Sequence, residues 1–140
     1  MIQMDDFFLP WELRTEERFA RSGGNIHYER FCAEVLPYLK KNESFSYRRF
    51  DCGSMDYGES RLIESSCWRI VEGSYSCHPA FGDYMDWRVF CDISPDEQMK
   101  RIRKRNGPEL AKVFSAQWIP MEEQYFKAER TKEQADIVLC

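Results

Sequence analysis

The chain has 140 residues, 43% of them hydrophobic and 31% charged, with a net charge of −4. That balance sustains a packed core and excludes global disorder, and the acidic excess gives no general basic field for nucleic acid or a membrane surface. Six cysteines without a Cys-x-x-Cys pair and two histidines without ligand spacing give no zinc motif. With no signal-like leader and no spanning apolar run, they read as reduced thiols in a single cytoplasmic domain over residues 1–140.

In chain order, Met1–Met4 is a short apolar run stopped by Asp5-Asp6, the pattern of a strand with acids at its C-terminal end. Residues 10–25 read as loop with one helical turn, closing on Ser22-Gly23-Gly24-Asn25. Tyr28, Phe31, Cys32, Val35, Leu36 and Leu39 recur at helical intervals and predict a helix disturbed by Pro37. Ser44–Cys52 alternates as an edge strand, and a second strand near Arg61–Glu64 would pair with it as a hairpin. Cys67–Val71 reads as a buried strand ending in Glu72-Gly73, residues 79–86 as a short helix or loop, and Trp87–Ile93 as a strand running into Asp92. Ser94-Pro95-Asp96-Glu97 starts a helix well, which breaks at Asn106-Gly107-Pro108. A longer helix with a kink near Pro120 and a last strand over Asp136–Leu139 complete the chain.

Strands alternating with helices point to an α/β fold with a mainly parallel sheet, whose ligands sit beyond the C-terminal strand ends. Asp5-Asp6, Glu72 and Asp92 each close a predicted strand, so their acids should line one edge. Asp5 and Asp6 could hold Mg²⁺ or take a proton from a hydroxyl, or could belong to a solvated turn. Glu72, held by a strand and followed by glycine, suits a metal-associated carboxylate, and otherwise is a turn acid. Lys100, Arg101, Arg103, Lys104 and Arg105 place five cations in six positions. They suit a mobile lid over phosphate, or the solvated face of a helix. Ser74 lacks the second glycine of a nucleophile elbow.

Taken in order, these segments resemble the uridine kinase branch of the P-loop kinases, in the phosphoribulokinase/uridine kinase group. Met4-Asp5-Asp6-Phe7-Phe8-Leu9 is similar to the motif after that family's second strand, and Gly24–Phe31 to the segment entering its nucleoside-side helix. Phe50-Asp51-Cys52 resembles its acceptor-pocket pair, Ile70–Tyr75 its Glu-Gly motif, and Val89–Ile93 with Arg101–Asn106 its fourth strand and arginine-rich lid. Trp118–Phe126 and Ala135–Val138 resemble its last helix and strand. The resemblance implies a three-layer P-loop kinase-like fold and ATP-dependent phosphoryl transfer to a nucleoside hydroxyl. Asp5 would be the general base, Arg101 and Arg105 lid cations, and Glu72 the Mg²⁺-associated acid. Asp6, Phe8, Tyr28, Glu29, Phe50 and Asp51 would shape the pocket for a nucleoside or similar small alcohol.

One departure stands out: no Gly-x-x-x-x-Gly-Lys-Ser/Thr occurs in these 140 residues. The family's P-loop and first, central strand are therefore absent, and the expectation is a truncated kinase domain. The family uses ATP and Mg²⁺, but this chain lacks the amides and lysine that cradle phosphates, which predicts no efficient phosphoryl transfer. The alternative is a non-catalytic remnant that binds a nucleoside or a partner. A hydrolase with paired carboxylates has no feature that specifies a leaving group.

Overall fold

The computed structural model describes residues 1–140, which divide into two compact units, Met1–Tyr84 and Met85–Cys140. In the first, β1 (Ile2–Gln3) lies parallel to β4 (Val71–Glu72), with Ile2 opposite Val71 and Gln3 opposite Glu72. β1 runs directly into a 3-10 turn, Met4–Phe7, which buries Met4, Asp6 and Phe7. Beyond β4, Gly73 adopts φ 129°, and a Cβ there would stand 2.8 Å from Cβ of Met4. Only glycine lets the two strand ends approach this closely.

Past the turn, Phe8 forms an antiparallel bridge with Ile26, and the His27 N–H donates to the Phe7 carbonyl at 2.7 Å. The 24–27 segment is thereby laid beside the acidic turn. A short helix, α1 (Glu16–Phe19), capped by the Thr15 hydroxyl, precedes it. The predicted helix after Tyr28 is split into α2 (Tyr28–Glu34) and α3 (Leu36–Leu39) by Val35 at φ −120°, ψ −55°. Pro37 has no N–H to donate to Ala33 and its ring crowds that carbonyl, so the helix breaks just ahead of it.

The expected hairpin is present: β2 (Phe45–Asp51) lies within the expected first strand and runs antiparallel to β3 (Asp56–Ile63), which starts earlier than the pattern suggested. Its register slips between Arg48 and Phe50. The slip keeps Phe45, Tyr47 and Phe50 all buried although the last pair is three residues apart. Inside the unit, Phe7 meets Phe31 edge-on at 5.2 Å and Tyr47 at 5.0 Å, and Phe31 meets Phe81 at 4.3 Å.

One expected element fails. Cys67–Val71 is not a buried strand: only Val71 enters β4, and Trp68 is 78% and Ile70 59% exposed. The apolar run misleads because Trp68 and Ile70 line an open groove of about 570 Å³ with Met1, Leu62 and Ile63. Apolar content alone does not distinguish a covered strand from an uncovered one.

In the second unit, β5 (Val89–Cys91) lies parallel to β6 (Ile137–Leu139). α4 (Pro95–Val113) is capped by the Ser94 hydroxyl and interrupted at Gly107, φ 83° and ψ 168°, where the sequence predicted a break. The kink expected near Pro120 is displaced. A π-turn over Phe114–Trp118 precedes α5 (Ile119–Glu129), and Pro120 sits in the first turn of α5. Trp118 and Ile119 are both helical, so Pro120 lies within a continuous helical run, and its missing N–H and ring distort the turn just before it.

Two of the three strand pairs are parallel and one is antiparallel, each forming its own two-stranded sheet. The architecture is mixed α/β, without the single continuous sheet that the sequence led us to expect.

Candidate functional site

The C-terminal edge of β1 and β4 is where acids gather. Parallel register sets Glu72 opposite Gln3, two residues before Asp5, so Asp5-Asp6 and Glu72 leave the same sheet edge. Asp92 follows β5 in the other unit, where it pairs with Lys132, whose ammonium holds the Asp92 carboxyl below its ordinary range.

The two adjacent aspartates differ. Asp5 is exposed, whereas Asp6 is only 3% exposed. Asp6 Oδ2 accepts from the Tyr47 hydroxyl at 2.8 Å and from Arg61 at 3.0 Å, and Oδ1 accepts from Arg49 Nε at 3.0 Å. Arg61 also donates to Gln3 Oε1 at 2.8 Å, which ties β3 to β1. Burying a carboxylate without partners is costly, and Asp6 is met by three side-chain donors. Burial, reinforced by the hydrogen bond to Asp6, pushes the Tyr47 phenol up to about 12. Asp6 thus joins the hairpin to the turn that carries Asp5.

Tyr28 and Glu29 are also occupied by protein. Arg18 donates to Tyr28 Oη at 2.7 Å and to both carboxylate oxygens of Glu29 at 2.7 and 2.9 Å. It also donates to the carbonyls of Gly24 and Ile26, and its guanidinium lies 3.9 Å from the Tyr28 ring centre. Burial alone would raise the Glu29 carboxyl, but the Arg18 bonds outweigh it and hold the group below its ordinary value. The Tyr28 ring also stacks with His78, ring centres 4.6 Å apart. His27 sits beside Tyr57, Nδ1 to Oη 3.4 Å, and burial lowers its pKa.

At the hairpin tip, Asp51 accepts from the Gly53 N–H at 2.9 Å and from the Ser54 hydroxyl at 2.9 Å, which together lower its pKa. Phe50 is buried and meets Tyr57 edge-on at 5.9 Å. Phe8 is half-buried. Partial desolvation raises the Cys52 thiol, and the charges of Arg14, Asp5 and Asp51 all act on it.

Arg101 and Arg105 lie exposed on α4 of the second unit. Arg101 pairs with Glu97 at 3.0 Å, and Arg105 Nε donates to Asn106 at 2.8 Å. No three His, Cys, Asp or Glu side chains stand together as a metal cage. Glu72 with water and substrate phosphates would suit Mg²⁺, which commonly uses one or two protein carboxylates. The Gly-x-x-x-x-Gly-Lys-Ser/Thr pattern does not occur in the 140 residues.

Sequence reasoning missed Arg14, Arg18, Arg49, Arg61 and Tyr47. The signal for Arg49 was present: Tyr47 and Phe50 break the two-residue alternation of a strand, as a bulge does.

No protein-family model matches the chain, and no curated protein matches it. Among solved structures, it is similar to one described as a possible uridine kinase from Bacillus stearothermophilus, with a TM-score of 0.68 and 18% identity over 99% of this chain and 70% of that one. The chain has a uridine kinase-like fold. At this identity the likeness speaks for the fold, and the chemistry of this site is argued from its own residues.

Proposed function

We propose that these residues form the acceptor-binding side and the arginine-rich lid of a uridine kinase-like phosphotransferase, one that acts on the hydroxyl of a nucleoside or similar small alcohol. The observation that carries the reading is the uridine kinase-like fold over nearly the whole chain, with Asp5 and Glu72 leaving one edge of its first parallel strand pair. Asp5, exposed at the turn, is the candidate base for the acceptor hydroxyl. Glu72 is the candidate Mg²⁺-associated acid, and Arg101 and Arg105 are candidate cations for the transferred group. In this reading the pocket is lined by Phe8, Phe50, Asp51 and the Tyr28–Glu29 start of α2, with Asp6 behind it.

Because the phosphate cradle is not among these residues, this chain alone is expected to transfer phosphoryl groups poorly. The exposed apolar strands Val89 and Ile137–Leu139 accord with a sheet that wants a further covering element, since parallel strands are ordinarily buried on both faces. Supplying a strand and P-loop ahead of residue 1 tests the proposal. Transfer from ATP to a nucleoside should then be measurable, and Asp5→Asn or Glu72→Gln should reduce it about 100-fold or more. Full activity in both variants would refute these roles.

A binding module that keeps the acceptor pocket without catalysis is the second reading. The absence of a phosphate-cradle motif from the 140 residues favours it. Nucleoside binding that is indifferent to ATP, with no transfer in the extended version, would select it.

A further inference from the structure

A single nitrogen ties the acidic turn to the hairpin. Arg61 Nη1 donates to Gln3 Oε1 at 2.8 Å and to Asp6 Oδ2 at 3.0 Å. Gln3 opens the Met4–Phe7 turn, and its own side chain makes no capping bond there. Residues three apart share one face of a 3-10 turn, so Gln3 and Asp6 stand together while Asp5 falls on another face and is exposed. A turn of four residues has little stability of its own, so its ends must be held from outside.

Both oxygens of Asp6 are served without Arg61. One accepts from Arg49, the other from Tyr47, which stands opposite Arg61 in the hairpin. What Arg61 adds is the link to Gln3, and Gln3 stands in register opposite Glu72. At the start of the turn, Met4 packs so closely on Gly73, the residue after Glu72, that a Cβ on the glycine would come within 2.8 Å of it. Gln3 and Asp6, on either side of Met4-Asp5, are fixed by Arg61, and Met4 is fixed by the end of β4. Together these contacts set where the turn sits on the sheet edge.

We infer that Arg61 is a positioning residue for the proposed transfer, its Nη1 holding Gln3 and Asp6 so that the turn presents Asp5 at the sheet edge that Glu72 shares. Arg61 acts through the turn and not on the acceptor itself. The inference rests on the acceptor-side reading proposed above. Because both bonds come from one nitrogen, a lysine ammonium can reproduce them, whereas a glutamine amide on a shorter chain cannot.

Hydrogen exchange on the 140-residue chain reads the turn directly. In Arg61→Gln the amides of Met4–Phe7 should exchange at least about tenfold faster relative to the rest of the first unit, and in Arg61→Lys they should stay near the parent rate. In the chain extended by a strand and P-loop, Arg61→Gln should lower kcat for transfer from ATP to uridine about tenfold or more, with KM for uridine changed less than about twofold. Arg61→Lys should keep most of the parent kcat. Gln3→Leu, which leaves the bonds to Asp6 whole, should lower kcat about threefold, and adding it to Arg61→Gln should cost little more. Should Arg61→Gln fail to fold, Gln3→Leu alone decides, by the same kcat and KM readings. Unchanged kcat in these variants, or a raised KM with kcat intact, overturns the inference and leaves the acceptor reading standing. Arg61→Lys as slow as Arg61→Gln, or exchange that rises evenly through the unit, reduces Arg61 to a structural role and also overturns it. An extended parent chain that transfers nothing overturns both.

Discussion

The two units treat their charged residues in opposite ways. In Met1–Tyr84, polar side chains are built into the packing: Asp6 takes three donors in the core, and Arg18 closes five bonds across the 18–29 loop. In Met85–Cys140, the cations lie on the exposed face of α4, and β5 and β6 leave Val89, Ile137, Val138 and Leu139 more than 40% exposed. The first arrangement suits a pocket whose parts must hold position, which is what binding and orienting an acceptor demands. The second suits charges that act only when a partner group arrives, because an exposed ion pair such as Arg101–Glu97 contributes little to folding.

The sharpest way to break this contrast is Asp6→Ala. It leaves Arg49, Arg61 and Tyr47 facing an emptied position and should cost about 3 kcal/mol in denaturant unfolding. A loss below about 0.5 kcal/mol would mean the Asp6 network is not structural.

Next is Gly73→Ala, which forces a Cβ into Met4 at a φ of 129° and should cost about 2 kcal/mol. Hydrogen exchange would place the opening at β1 and β4. Uniform exchange across the unit would argue against a local clash.

Tyr47 gives a smaller effect with a definite sign. Its folded pKa, about 12, lies above the ordinary value of 10.0, so its contribution to stability is complete below pH 10 and is lost as pH rises toward 12. Tyr47→Phe should cost about 1 kcal/mol at neutral pH and flatten that alkaline decline. A decline of the same size in the variant would assign it to other groups.

The smallest effect belongs to the second unit. Arg101→Ala and Arg105→Ala should each change stability by no more than about 0.5 kcal/mol, whatever they do to phosphoryl transfer. A large loss would show that the α4 cations are structural after all.

Much of the layout was legible because it is local. Ser94 capping, the Gly107 break, the damage done by Pro37 and the hairpin alternation are all decided within a few residues. The acids at the ends of β1 and β4 were legible for the same reason. The division of labour between Asp5 and Asp6 was not. It depends on Tyr47, Arg49 and Arg61, which stand 41 to 55 positions further along and meet Asp6 only after the hairpin folds back. The glycine after Glu72 was read as part of a metal-associated motif, and in the structure its missing side chain makes room for Met4. Trp68 and Ile70 misled for a related reason, since hydrophobicity does not say whether anything covers a strand.

The most direct test of the central claim is a calorimetric titration of the 140-residue chain with uridine at millimolar concentration, with and without Mg²⁺ and ATP. An acceptor-side unit without a phosphate cradle predicts measurable uridine binding, indifferent to ATP, and no tight ATP binding of its own. Tight, Mg²⁺-dependent ATP binding by this chain would contradict the account.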